Sequence, residues 1–118
     1  MGIKIKVQTN TADIIAKIQA GKAAMIPAVA EQALADCNYF ARRDQGTMIE
    51  SSETASDLQK GNLVWDTSYA KKAYYTGTPS QDVNPNASLM WCEKAQSTFG
   101  KDWEKIAQKS FEKGMKQT

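Results

Sequence analysis

From Ala12 to about Arg43, apolar side chains recur at three- and four-residue steps: Ile14, Ile15, Ile18, Met25, Ile26, Val29, Ala30, Ala33, Leu34, Cys37 and Phe40. This is the period of a helix that buries one face. Unbroken, such a helix is roughly 45–50 Å long at 1.5 Å per residue. That is long for a chain of 118 residues, and the other segments must be arranged around it. The many alanines suit close packing of the helix on a sheet. Gly21 and Pro27 interrupt the run. The proline ring clashes with the preceding turn, so a kink or short break is expected near Pro27.

The flanking segments read as an α+β frame. "IKIKVQ" (Ile3 to Gln8) alternates apolar and polar residues like a half-buried strand, and Thr9, Asn10 and Thr11 can cap the helix that follows. "RDQGT" (Arg43 to Thr47) ends that helix with a glycine. Met48 to about Glu53 and Asn62 to Asp66 read as two extended segments of a hairpin, with a polar, mobile link "TASDLQKG" between them. "SYAKKAYY" suits two helical turns capped by Ser68, and "TGTPSQDVNPN" reads as a loop. "ASLMWCEKAQST" is expected to form a short helix broken at Gly100. A final helix then places Trp103, Ile106, Ala107, Ser110, Phe111 and Met115 on one face. The expected fold is α+β: an N-terminal strand, a long kinked helix packed on a small antiparallel sheet, short helices and a C-terminal helix, in one domain over 1–118.

Composition narrows the chemistry. Histidine is absent, which removes the commonest general base, the Ser/His/Asp and Cys/His triads and nearly all catalytic zinc sites. Paired carboxylates, a phosphate loop and an activated nucleophile are not found, so no enzyme is expected. Cys37 and Cys92 lie far apart without a CxxC spacing, so Cys37 reads as a small buried hydrophobe. A net charge of +2 does not by itself call for a polyanionic partner. No apolar run reaches membrane-spanning length and "MGIKIKVQTN" lacks an apolar signal-peptide core, so a soluble product made in the cytoplasm is expected.

"DVNPNASLMWCE" matches much of an EF-hand calcium loop, with Asp82, Asn84, Asn86 and Glu93 at the first, third, fifth and twelfth positions and Leu89 at the eighth. Ala87 stands where the loop requires glycine, Pro85 stiffens it, and "TGTPSQ" cannot form the entering helix. The expectation is a polar loop in which Asn84 or Asn86 caps the next helix, with no metal and no cofactor.

"NLVWDTSYAKKAYYTG" (Asn62 to Gly77) holds three of the four tyrosines and one of the three tryptophans, with two lysines among them. In order, "ALADCNYF", "DQGTMIESS", "VWDTSYAKKAYYTG", "DVNPNASLMWCEKA" and "GKDWEKIAQKSF" resemble the minor capsid proteins of long-tailed bacteriophages. These are similar to the neck and tail-completion proteins that join a DNA-filled head to its tail. The likeness runs from about Val29 to Phe111. It departs at "ARRDQGT", where such proteins often carry a proline and an "xDTG" turn.

The resemblance implies a non-enzymatic virion protein acting as a ring in the neck, assembled in the bacterial host cytoplasm. Its implied partners are its own copies and other neck, portal-side or tail proteins, with a passing contact to packaged DNA and none to membrane. Tyrosine and arginine are frequent interface anchors, so Arg42, Arg43, Tyr69, Lys71, Lys72, Tyr74 and Tyr75 are the candidate interface. Against this stands burial of Trp65 and Tyr69 in the core, with Trp91 and Trp103 on apolar helical faces. A single-strand nucleic-acid binder, stacking bases on the same rings, is the alternative.

Overall fold

The computed structural model describes residues 11–42, 47–82 and 84–116. Four helices follow one another: α1 (Thr11–Tyr39), α2 (Thr47–Ala55), α3 (Ala70–Tyr75) and α4 (Trp91–Lys116). Helix accounts for 69% of the described residues, and they contain no sheet. The α+β expectation is therefore wrong: α1 packs along α4, not on an antiparallel sheet. The strand expected at Ile3 to Gln8 lies outside the described residues.

α1 and α4 run antiparallel. Cys37 meets Cys92 at one end, while Gly21 faces Phe111 and Gly114 faces Ala20 and Ala24 toward the other. A methyl group on Gly114 would lie 2.6 Å from the Ala20 carbonyl oxygen and 2.8 Å from Ala24 Cβ, so only glycine permits this approach. α1 stays helical through Pro27 and, at 29 residues, is about 43 Å long. The molecule extends 79 × 24 × 21 Å with a radius of gyration of 20.3 Å. A compact chain of this size would have about 13–14 Å.

The expected hairpin is instead α2 followed by an extended segment. Met48, Ile49 and Ser52 are buried together on one face of α2, a one- and four-residue spacing that belongs to a helix. Glu50 in the first turn suits the positive helix end. A single antiparallel bridge, Asp57 to Asn62, closes the turn after it, with bonds of 2.8 and 2.9 Å and Gly61 at φ 73°. Residues 63–66 then bond to serine side chains of α2 and of the residue just after it, not to a second strand. Ser56 Oγ accepts from Val64 N at 2.9 Å and Ser51 Oγ accepts from Asp66 N at 3.0 Å. The polar link expected to be mobile is thus a helix end and a hydrogen-bonded turn.

Two further boundaries differ. α4 is continuous through Gly100; a glycine costs about 1 kcal/mol in a helix interior, less than the packing on either side of it returns. α3 starts after Tyr69 with no side-chain cap, so Ser68 does not cap it.

The core lies where the C-terminal half of α1 meets α2, α3 and the start of α4. Trp91 is 1% exposed, Met48 1% and Cys37 2%, with Ala41, Ala95 and Phe40 beside them. The Trp65 and Tyr74 rings meet Trp91 edge to face, with centroids at 5.9 and 4.6 Å. Three of its polar side chains are paired in a chain: Trp65 Nε1 donates to Asn38 Oδ1 at 2.9 Å, Asn38 Nδ2 to Ser52 Oγ at 3.0 Å, and Ser52 Oγ to the Ile49 carbonyl at 2.6 Å, while Trp91 Nε1 is buried without a partner among the described residues. Such pairing avoids the cost of buried unsatisfied groups.

Candidate functional site

The end of α1 is held by a residue of the loop before α4. Asn84 is buried, and its Nδ2 donates to the Tyr39 carbonyl at 2.9 Å and the Ala41 carbonyl at 2.8 Å. Its Oδ1 accepts from Asn86 N at 3.0 Å. Asn84 therefore closes the C-terminus of α1, satisfying carbonyls that a helix end leaves over; it does not cap α4. The same bonds engage one third-position ligand of the EF-hand-like pattern, while Glu93 accepts from the Tyr74 hydroxyl. No group of three metal-ligating side chains occurs among the described residues.

This anchoring sets the direction of Arg42, just beyond α1. Its Nη1 donates to the Ala73 carbonyl at 3.2 Å and the Thr76 carbonyl at 3.1 Å. A guanidinium at the C-terminus of α3 meets both its leftover carbonyls and the negative end of its dipole. Gly77, at φ 83°, lets the chain turn away beside that guanidinium.

Arg42, Tyr69 and Lys72 thereby line one cavity of about 470 Å³, together with Met48, Ala73, Thr76 and Gly77. Among the described residues, the lining carries two cationic side chains and no acidic one. Tyr69 is positioned by its hydroxyl, which shares a 2.8 Å hydrogen bond with Thr47 Oγ1.

The other candidates separate from this cleft. Tyr74 is half-buried, its ring against Trp91. Tyr75 is 57% exposed and edge-on to Tyr74 at 4.9 Å. Lys71 is exposed outside the cavity, and Arg43 lies outside the described residues. The rings consequently do not form a continuous stacking platform of the kind single-strand binders use. Trp65 is half-buried over Trp91. Trp103 is half-buried too, its Nε1 donating to Asp36 Oδ2 at 2.6 Å.

A second surface was missed by sequence reasoning. Ile14, Ile15 and Ile18 are 45%, 48% and 38% exposed near the start of α1. They belong to the stripe read as buried. Farther along the pair, α4 passes Ala20 and Gly21 at Gly114.

No described helix is long and apolar enough to cross a membrane. A family profile described as minor capsid protein matches residues 3–111. No curated protein and no solved structure matches the chain.

Proposed function

The chain belongs to the minor capsid protein family, a family of phage virion structural proteins, and from that premise we propose that it is a neck subunit joining head to tail as a ring. One observation carries the reading: an elongated subunit bears two chemically different surfaces far apart. The apolar surface of Ile14, Ile15 and Ile18 opens one end of α1, and the cationic, tyrosine-bearing cleft lies beyond the other. About 24 helical residues separate them, roughly 36 Å at 1.5 Å each. Unlike surfaces on one subunit favour head-to-tail contacts, which generate rings when the rotation closes.

The function is stoichiometric and architectural, not catalytic. Side-by-side subunits present the same faces to head and tail, and contacts that are weak singly multiply around the ring. Chain 1–118 acts as one connector unit, with Arg42, Tyr69 and Lys72 at the contact and Lys71 and Tyr75 at its rim. Assembly takes place in the host cytoplasm and the product is carried in the virion.

A stop codon early in this gene, within an inducible phage, tests the proposal. Filled or fillable heads and separate tails of normal length are expected, with rescue by the intact gene. Joined, infectious particles lacking the polypeptide would overturn it.

A further inference from the structure

Two thiols far apart in sequence meet between the longest helices. Cys37 of α1 is 2% exposed, Cys92 of α4 is half-buried, and both are free. Both line a cavity of about 230 Å³ bordered by Leu63, Gln96 and Trp103, and each side chain shifts the ionisation of the other. A small disulfide would meet the half-buried sulfur first and the buried one second.

We propose that Cys37 and Cys92 form an oxidation site, closing to an intramolecular disulfide when the protein meets a low-molecular-weight disulfide and thereby bolting α1 to α4. This rests on the placement of the two cysteines and is independent of the neck reading. In the first step the Cys92 thiol loses its proton to solvent and its thiolate attacks one sulfur of the small disulfide. That S–S bond breaks, and one thiolate leaves and is protonated. Cys92 is left in a mixed disulfide. In the second step Cys37 loses its proton and attacks the Cys92 sulfur, expelling the second small thiol. Two protein thiols are oxidised, and one disulfide is reduced to two thiols.

The order follows from the environment of each sulfur. The hydrogen bond from Cys37 lowers Cys92 below the usual thiol range, although burial opposes it. The same bond, followed by burial, holds Cys37 far above that range. The thiolate is the attacking species, so Cys92 reacts first. Once Cys92 carries a mixed disulfide, no thiolate remains beside Cys37 to hold its proton in place, so Cys37 can ionise and attack. Host cytoplasm keeps thiols reduced and extracellular surroundings do not, so a virion protein with this pair assembles as the dithiol and stiffens after release.

The test treats the purified protein with oxidised glutathione in mildly alkaline buffer. The expected product is a monomer lighter by two hydrogens, with a peptide map linking Cys37 to Cys92. Its Tm should rise by on the order of 10 °C, because the cross-link removes freedom from the unfolded chain, and reductant should reverse the rise. Cys37→Ser should instead accumulate a glutathione adduct at Cys92, and Cys92→Ser should resist modification. A wild-type chain that remains unmodified, stops at the Cys92 adduct or cross-links only between molecules would overturn the proposal. The wild-type peptide map decides this even if a serine variant fails to fold.

Discussion

The two halves of α1 are equally helical and differently stabilised. Its C-terminal half, with Ala30, Ala33 and Cys37 buried, meets α4, α2 and the extended segment 63–66 around Trp91. Its N-terminal half packs, among the described residues, along α4, and Ile14, Ile15 and Ile18 are left partly in water. In the C-terminal half, the head of the subunit (the N-terminal half being its arm), large side chains supply the buried area, at about 1.5–3 kcal/mol for a fully buried one. In the arm, Gly21 and Gly114 let two backbones approach, so many small dispersion contacts replace a few large ones. Helical periodicity reports that a face is apolar; the number of neighbouring elements decides how much of it is buried.

The largest break in this contrast should come from the head. Trp91→Ala removes a side chain that Trp65 and Tyr74 both pack against, and should cost about 3–5 kcal/mol in urea unfolding followed by circular dichroism. A loss under 1 kcal/mol would mean that the head core is not centred there.

Next in size is Gly114→Val, whose Cβ would press on backbone at the Ala20 carbonyl. A cost of about 1–3 kcal/mol is expected. Hydrogen exchange should rise in the N-terminal half of α1 while the amides around Trp91 stay protected. Equal loss of protection in both halves would show one cooperative unit and erase the distinction between head and arm.

Smallest for stability is the triple variant Ile14→Lys, Ile15→Lys, Ile18→Lys. Substitutions at such exposed positions should each stay within about 0.5 kcal/mol. Yet if this end of α1 is a ring contact, the variant should fail to rescue the stop-codon phage. Full rescue would remove the arm from the proposed assembly surface.

How much of this was legible varies with how local the cause is. The helical run before Tyr39 and the burial of Cys37 follow from spacing alone, as does the apolar face of the last helix. Met48, Ile49 and Ser52 carried a helical spacing too, but nine residues are too few for periodicity to outweigh an extended reading. Gly100 is a weak breaker, and the packing of α4 on α1 outweighs it. The cleft was half legible: arginine, tyrosine and lysine are the right residue types, but nothing local shows that Arg42 reaches the carbonyls of Ala73 and Thr76 while Tyr74 turns to Trp91.

By itself, then, the sequence determined the long helix, the thiol in its apolar stripe and the absence of histidine chemistry, because period and composition act within a few turns of chain. It also carried the family resemblance, through the order of its aromatic motifs. Tertiary structure alone decided that α1 lies on α4 and not on a sheet, that Ser51 and Ser56 replace a strand partner for residues 63–66, and that Cys37 and Cys92 line one cavity. These are contacts between segments distant in sequence. Each depends on which surfaces remain uncovered once the helices exist, a quantity set by the whole arrangement and by no single stretch of residues.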